Sequence, residues 1–390
     1  MSIRYLTSGE SHGPALVDII DGIPAGLNID STIIDEDLKR RQKGYGAGPR
    51  MKMESDHAEI IGGVMAGETL GSPISLMIKN KDHKNWVGKN IESMTKPRPG
   101  HADLTAAIKY NYKDFRQSLE RASARETAAK VAVGAICKHY LAQFGILVQG
   151  YVSSIGEIKA NINKLQIDQR YEIAEKNSVR CPDVDAAKQM EETIKETIKA
   201  KDTIGGVIEV VVMGHPAGLG SHTLGDKKLT AKLGATILGI QAMKGVEFGN
   251  AFENTRNPGT KVHDGIFLEN DRLTRKTNRA GGLEGGISNG EPIIIRAAMK
   301  PIATTLNPQK TVDVATGNEE DTQYERSDFC PVPRAVPVLE AAVSIVMANA
   351  LIEKIGGDSL SEQIPRFEKL KTTKLSDLEI DGEEHLWWPD

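Results

Sequence analysis

Three short strings hold ionisable side chains next to glycine or proline, where the backbone rather than core packing fixes their position. They are residues 9–14 (GESHGP), 98–103 (RPGHAD) and 325–331 (ERSDFCP). The imidazoles of His12 and His101 can act as acid or base near neutral pH, and Asp328 adds a carboxylate. The strings predict proton-transfer chemistry. A structural role is the alternative, because an isolated histidine in a turn is more often structural than catalytic.

Arginine and serine side chains gather where the string RASARETA, which begins at Arg121, enters an apolar helix. Free N–H groups and the helix dipole favour negative charge at a helix N-terminus. Arg121, Ser123 and Arg125 therefore suit a phosphate or a carboxylate. The alternative is a salt-bridged helix cap that uses Glu120 and Glu126.

A basic stretch, residues 38–53, contains six lysine or arginine residues and no acidic residue, although the whole chain has a net charge of −4. A short basic segment in an acidic protein favours a small anionic ligand over nucleic acid, which usually needs a broad positive face. A solvated basic loop is the alternative. The sequence contains no Walker, Rossmann, zinc-protease or α/β-hydrolase motif, so it points to none of these common enzyme classes.

Glycine is abundant and clustered, with 38 glycines in 390 residues, 13 of them in residues 1–100 and 17 in residues 201–300. Such clusters indicate tight turns or backbone packed against a ligand. A loop-rich antiparallel sheet protein is the alternative.

The overall composition, 39% apolar and 26% charged, excludes the disordered, collagen-like and membrane classes. Cys137, Cys181 and Cys330 are too far apart for a disulfide framework or a metal-ligand cluster. The N-terminus has no signal pattern, and the longest apolar stretch, residues 341–352, is too short to span a bilayer. We expect a cytoplasmic protein with no metal and no membrane association.

The residue patterns predict the elements that position these side chains. Predicted strands cover residues 59–61, 74–78, 206–213 and 293–298, and predicted helices cover a segment after the N-cap Asp30, a segment capped by Asp103, and residues 123–144, 191–199, 229–243 and 336–355. The segment 123–144 is apolar nearly all round, which is typical of a buried core helix. No linker separates domains, so we expect one α+β domain spanning residues 1–390, with sheets packed on a helical layer.

Taken together, the strings resemble the chorismate synthase family. The matching strings are residues 9–14 (GESHGP), 40–51 (RRQKGYGAGPRM), 98–103 (RPGHAD), 121–128 (RASARETA), 244–249 (KGVEFG), 281–290 (GGLEGGISNG), 300–304 (KPIAT) and 326–337 (RSDFCPVPRAVP). They occur in the family's order and cover nearly the whole chain.

The resemblance implies conversion of 5-enolpyruvylshikimate 3-phosphate into chorismate and phosphate by an anti-1,4-elimination, the final step of the shikimate pathway to aromatic amino acids. The family requires reduced FMN although the reaction has no net redox change. It also implies a homotetramer and a β-α-β sandwich with a helical core layer between antiparallel sheets. No reductase extension is recognisable, so we expect a monofunctional enzyme whose FMN is reduced by an external flavin reductase, with NADPH only an indirect source of electrons.

The resemblance also implies roles for individual residues. His12 and His101 match the two active-site histidines, which are expected to protonate the leaving phosphate and to hold the charge state of the reduced flavin, in an order left open. Asp328 matches the carboxylate that assists proton removal. The residues that match substrate or NADP contacts are Arg41, Arg50, Arg125 and Arg334, together with Ala47, where many relatives carry an arginine that Lys43 or Lys52 would have to replace.

For FMN, the resemblance points to segments from the middle and the end of the chain. They are Arg121, Ala122, Ser123, Gln241, Ala242, Gly285, Lys300, Pro301, Ile302, Ala303, Thr304 and Arg326. Two other functions stay open at this point, a different flavin- or nucleotide-dependent enzyme on the same scaffold and a non-catalytic anion-binding protein. Retention of Arg50 and Arg125 argues against the first, and retention of both histidines with Asp328 argues against the second.

Overall fold

The chain is described by a computed structural model for residues 2–47, 55–163, 165–325 and 327–388. The strands are β1 (Arg4–Ser8), β2 (Ala15–Asp21), β3 (Ala58–Gly62), β4 (Val64–Met65), β5 (Glu68–Thr69), β6 (Ile74–Lys79), β7 (Leu147–Ile155), β8 (Ile158–Lys159), β9 (Gly206–Met213), β10 (Met243–Phe248), β11 (Ile266–Glu269), β12 (Arg272–Arg275), β13 (Leu283–Glu284), β14 (Ile287–Ser288), β15 (Ile293–Met299), β16 (Lys310–Asp313) and β17 (Asn318–Asp321). The helices are α1 (Ser31–Gln42), α2 (Asp103–Tyr110), α3 (Arg116–Ala122), α4 (Thr127–Ala142), α5 (Ile167–Ala174), α6 (Val184–Lys199), α7 (Leu229–Leu238), α8 (Ala251–Asn254), α9 (Val332–Ile355) and α10 (Leu360–Glu368).

Two antiparallel sheets form the outer layers. The first has the strand order β1-β2-β6-β3, and the second has the order β10-β15-β9-β7-β8. Alternate residues of the first sheet, such as Leu16, Ile20 and Leu76, are buried, as the two-residue period of a half-buried strand requires. The central strand β9 has the bounds predicted for residues 206–213.

A layer of helices lies between the sheets. Helix α4 packs against β1, β2 and β6, whereas α9 packs against β7 and β9, and the two helices pack on each other. At their crossing a Cβ on Gly134 would lie 2.2 Å from the Cβ of Ala341, so only glycine allows this approach. Residues of both sheets and both helices belong to one apolar cluster. The α+β sandwich with a helical core layer, predicted from the sequence, is confirmed.

Helix α9 is longer than the apolar stretch in the sequence suggested. It has 24 residues and is long and apolar enough to cross a bilayer, so the expectation that no apolar segment has that length was wrong. Its residues are, however, almost all buried between the sheets. The apolar composition is therefore explained by the core that α9 forms.

A buried ionic network ties α1, α4 and α9 together. Glu340 of α9 has a side chain that is 1% exposed and accepts hydrogen bonds from Arg40 at 2.6 Å and from Lys138 at 2.9 Å. The backbone N–H of Gly150 in β7 also donates to this carboxylate, at 2.8 Å. Burial opposes ionisation, but the two cations lower the pKa of Glu340 to about 2. The carboxylate is therefore ionised inside the core.

Several predicted helix ends are wrong by a few residues. Helix α7 ends at Leu238 with Gly239 as its C-cap, because the chain turns there and enters β10 at Met243. Helix α4 begins at Thr127 rather than 123, since residues 124–126 form a 3₁₀ turn that Ser123 caps. Asp103 lies inside α2 and is not its N-cap, because its carboxylate accepts hydrogen bonds from Arg98 and His101 instead.

Candidate active site

His12 lies on the loop between β1 and β2. Gly9 opens this loop with a φ of 113°, and a Cβ there would lie 2.4 Å from the carbonyl oxygen of Ala15, so the turn requires glycine. The backbone N–H of His12 donates to Oε2 of Glu120 at 2.8 Å, and its ring Nδ1 lies 2.7 Å from Oε1 of the same carboxylate. The loop is thus fastened to the end of α3.

An aromatic side chain covers the His12 ring. Trp86 stacks on it with ring centroids 3.9 Å apart and planes inclined by 29°. The indole N–H of Trp86 donates to Asp82 at 3.2 Å, and Nδ1 of His83 lies 2.8 Å from the carbonyl oxygen of His12. Sequence reasoning missed Trp86 and His83. The local signal was the close spacing of two acid–base side chains and a tryptophan in residues 82–86.

His101 lies in a second charged cluster, directly before α2. Its Nδ1 is 2.7 Å from Oδ1 of Asp103, and Arg98 donates to both oxygens of that buried carboxylate at 2.8 and 2.9 Å. Burial alone would raise the pKa of Asp103. The hydrogen bonds from Arg98 and His101 outweigh burial and hold this pKa well below its usual range. The ionised Asp103 therefore fixes the His101 ring.

Asp328 pairs with Arg334, one turn into α9. Nε of Arg334 donates to the backbone carbonyl of Arg41 at 3.1 Å, and the backbone N–H of Phe329 donates to the carbonyl of Gly46 at 3.0 Å. Burial raises the pKa of the adjacent Cys330 thiol to about 12. The carboxylate is thus placed beside the basic stretch, and the thiol next to it stays protonated.

Arg41 and Arg125 meet at one buried carboxylate, Asp56. Arg125 donates to its two oxygens at 2.7 and 2.8 Å, and Arg41 lies 3.5 Å from one of them. Arg125 also donates to Oδ1 of Asn80 at 2.8 Å, and Nδ2 of Asn80 donates to the carbonyl oxygen of Gly13 at 2.8 Å. A hydrogen-bonded path therefore runs from the Arg41 side chain to the His12 loop. Sequence reasoning missed Asp56 and Asn80.

The predicted FMN residues Arg121, Ser123 and Gln241 lie next to this path. Arg121 donates to the carbonyl oxygen of Thr7 at 3.0 Å, and the hydroxyl of Ser123 donates to that of Ser11 at 3.1 Å. Nε2 of Gln241 donates to Glu126 at 3.2 Å. Residues from the two halves of the chain are thus brought together around the start of α4.

Two observations fit the binding of FMN at this place. Oε1 of Gln241 is buried and accepts no hydrogen bond from any described residue, so it is available to an N–H donor of a ligand. Burial, and to a lesser degree the neighbouring Lys244 cation, lower the pKa of Lys300, because both disfavour its charged form. An anionic group bound beside these lysines would favour the charged form. The side chains present therefore suit FMN.

The string 300–304 connects this region to the His101 cluster. The backbone N–H of Lys300 donates to the carbonyl of Ala242 at 3.0 Å, and Arg98 donates to the hydroxyl of Thr304 at 3.3 Å. The hydroxyl of Ser327 donates to the carbonyl of Thr304 at 3.0 Å. The other predicted FMN residues of this string lie between Lys300 and Thr304, and they are Pro301, Ile302 and Ala303.

Gly285 lies apart from the other predicted FMN residues. A Cβ on Gly285 would be 3.8 Å from the Cβ of His222, near the start of α7. The carbonyl of the adjacent Gly286 accepts the N–H of Leu229 at the start of α7, at 2.8 Å. Gln241 and Ala242 follow the other end of that helix, whose ten residues span about 15 Å. The separation was invisible in the sequence because motif order carries no distance.

The remaining predicted residues are accounted for as follows. Arg50, Lys52 and Arg326 lie outside the described residues. Ala47 is the last described residue before the gap that contains Arg50, and Ala122 is the last residue of α3. Among the described residues no group of three or more His, Cys, Asp or Glu side chains is arranged to hold a metal ion.

An α+β sandwich whose loops gather two histidines, an aspartate and several arginines is typical of an enzyme that acts on a small anionic molecule. Comparison with known proteins agrees with this class. A family model described as chorismate synthase matches residues 3–352. The chorismate synthase of Geobacter sulfurreducens is 49% identical over 377 residues, covering 92% of this chain and 96% of that protein. That of Syntrophotalea carbinolica is 50% identical over 369 residues, covering 92% and 95%.

A solved structure agrees with the sequence comparisons. A crystal structure of chorismate synthase superimposes with a TM-score of 0.78 at 39% identity, covering 94% of this chain and 97% of that chain. The chain belongs to the chorismate synthase family, whose members are lyases of aromatic amino-acid biosynthesis.

Proposed function

We propose that this protein converts 5-enolpyruvylshikimate 3-phosphate into chorismate and inorganic phosphate by an anti-1,4-elimination that depends on reduced FMN. The reaction breaks one C–H bond and the C–O bond to phosphate, and it forms one C=C bond without a net change in oxidation state. The observation that carries the proposal is a chain of contacts in a member of this family. The chain joins the Asp328 segment to the His101 cluster through Thr304 and to the His12 loop through Arg334, Arg41, Asp56, Arg125 and Asn80.

The substrate carries two carboxylates and a phosphate, so its site must supply cations. Arg41 and Arg125 share the carboxylate of Asp56. Arg334 pairs with Asp328 and donates to the backbone carbonyl of Arg41. In the proposed complex these guanidinium groups orient the substrate anions, and guanidinium geometry suits both carboxylate and phosphate. Arg50 is proposed to join them.

Proton transfer is assigned to three side chains. His12 gives a proton to the departing phosphate, and Asp328 takes the proton that the substrate loses. His101 holds the charge state of the flavin, because Gly100 and the His101 loop lie against Lys300 and Ala303 of the predicted FMN string. These assignments use one proton donor and one proton acceptor, so the proton balance of the elimination closes.

FMN is proposed to bind between the 121–123 and 300–304 segments, with the orphan Oε1 of Gln241 and the cations of Lys244 and Lys300 as its polar contacts. Reduced FMN, when bound, supplies transient electron density to the substrate as phosphate leaves. We also propose that the enzyme is monofunctional, cytoplasmic and homotetrameric, and that an external flavin reductase provides the reduced flavin. Sedimentation of the purified protein and NADPH oxidation in air-free buffer test the last two points.

The proposed function predicts turnover under anaerobic conditions with chemically reduced FMN. Phosphate and chorismate should form together, and His12→Ala should lower kcat by about 100-fold because it removes the proton donor. Asp185→Asn, at a side chain that is 89% exposed on α6, is the matched control and should keep full activity. Folded protein, verified by circular dichroism, that forms no chorismate would contradict the proposal.

A further inference from the structure

We infer that Glu120 is a positioning residue that fixes the orientation and tautomer of His12, so that Nε2 of the ring is the atom that transfers the proton. The inference rests on the proposed function, in which His12 protonates the leaving phosphate. The sequence suggests for Glu120 only a salt-bridged helix cap, and Glu120 belongs neither to the basic stretch nor to the FMN segments.

Glu120 holds His12 at two points. One carboxylate oxygen accepts the backbone N–H of His12 at 2.8 Å, and the other lies 2.7 Å from ring Nδ1. The backbone carbonyl of Glu120 in turn accepts the N–H of Ser11 at 3.1 Å. Both side chains are only 15% exposed. Rotation of the imidazole about its side-chain bonds would break the Nδ1 contact, so the ring is preorganised.

The charge state of Glu120 determines which ring nitrogen holds a proton. Burial opposes ionisation, but the hydrogen bonds from His12 and the nearby Arg116 lower the pKa of Glu120. An ionised carboxylate only accepts hydrogen bonds, so Nδ1 must be the donor. In the neutral ring Nε2 is then the basic nitrogen, and in the protonated ring Nε2–H is the acid. Glu120 also balances the positive charge of the protonated ring.

Neighbouring elements hold the pair from the other sides. Trp86 stacks on the His12 ring at 3.9 Å, and the Arg116 guanidinium lies 5.6 Å from the centre of the Trp86 ring. His83 contacts the His12 carbonyl oxygen, and Asp82 accepts the Trp86 indole N–H. These contacts fix the ring plane, whereas the Glu120 carboxylate places a negative charge at Nδ1 of the ring.

Glu120→Gln tests the inference, because the amide can still contact the backbone N–H of His12 but carries no charge. We expect kcat to fall about 10- to 100-fold with little change in KM. Glu120→Asp should recover part of the activity. Glu172→Gln, an exposed carboxylate on α5, is the control and should match the wild type.

A double-mutant cycle separates positioning from a general structural effect. In the His12→Ala background, Glu120→Gln should cost nothing further, since its effect passes through the ring. Equal losses in both backgrounds would overturn the inference.

Nitrogen NMR of ¹⁵N-histidine-labelled protein gives a readout that does not need turnover. The His12 signals should show the Nδ1–H tautomer in the wild type and a changed tautomer mixture in Glu120→Gln. Identical signals in the two proteins would also overturn the inference. If the wild type showed the Nδ1–H tautomer but formed no chorismate, the proposed function would fail and the positioning of His12 would stand.

Discussion

At the scale of single residues, the carboxyl groups near the site are of two kinds, those that bind a cationic or histidine side chain and those that do not. Glu120, Asp103 and Asp56 each bind a cationic or histidine side chain. Asp18 of β2 differs, since it is fully buried and neither of its oxygens has a hydrogen-bond partner among the described residues. Burial and the nearby Glu126 raise the pKa of Asp18 to about 8, against an opposing effect of Arg121. The folded protein therefore holds a proton there at neutral pH.

This proton makes stability depend on pH. The folded-state pKa of Asp18 is about 8, whereas an unfolded aspartate titrates near pH 4. The contribution of Asp18 to the unfolding free energy is therefore largest below about pH 4 and is lost as pH rises towards 8. Relative to Asp18→Asn, the wild type should lose about 1.4 kcal/mol of unfolding free energy per pH unit between about pH 5 and 7. Urea unfolding of both proteins across this range measures the difference.

The exposed aspartate Asp185 provides the control for this measurement. Asp185→Asn should run parallel to the wild type at every pH, because its carboxylate is solvated in both states. A difference between wild type and Asp18→Asn that stays constant from pH 5 to 8 would show that Asp18 is ionised in the folded protein.

The sequence predicted the chemical groups at this scale better than their partners. His12, His101 and Asp328 stand in strings whose glycines and prolines mark them out. Asp103 was near His101 in sequence, but Asp56 and Asn80 reach Arg125 only through the tertiary fold. Spacing along the chain does not encode such contacts, so these partners were not predictable.

At the scale of elements, the helical layer depends on one buried ionic network. Glu340 joins α9 to Arg40 of α1 and Lys138 of α4, and Asp37 and Glu175 complete the network. The apolar pattern of residues 123–144 predicted a core helix, and α4 is one. The apolar pattern did not indicate the buried charges of Lys138 and Glu340. The sequence alone does not tell whether a charged residue within an apolar helix faces solvent or a buried partner.

Loss of this carboxylate should weaken the fold strongly. Glu340→Gln removes the buried carboxylate that Arg40 and Lys138 both contact, while Arg40 keeps Asp37 and Glu175 and Lys138 keeps Asp37. We therefore expect a loss at or just below the lower end of the about 3–5 kcal/mol that breaking a buried pair costs. Guanidinium unfolding at pH 7 measures the change in unfolding free energy. Because the pKa of Glu340 is lowered to about 2, its stabilisation is present above its ordinary range near pH 4 and is lost as pH falls towards 2.

Glu253→Gln is the comparison for Glu340→Gln. It removes an exposed ion pair in which the side chain of Glu253 is 58% exposed and that of Arg256 is 71% exposed. Surface pairs of this kind contribute less than about 1 kcal/mol. Similar small losses in the two variants would mean that the network around Glu340 does not stabilise the core.

At the scale of the whole molecule, the sandwich brings segments from residue 9 to residue 334 to one region. The order of the motifs predicted the family and the fold class, and both are confirmed. It did not predict that Gly285 lies at the start of α7 whereas Gln241 and Ala242 follow the end of that helix. The molecule is therefore understood best as two sheets that hold their connecting loops around the ends of α3, α4 and α9.

The most direct measurement of the central proposal is the product stoichiometry of one air-free reaction started with reduced FMN and no NADPH. We predict one phosphate per chorismate over many turnovers, with the flavin still reduced when the substrate is exhausted, because the elimination has no net redox change. Phosphate released without chorismate, or one flavin oxidised for each chorismate formed, would contradict the account.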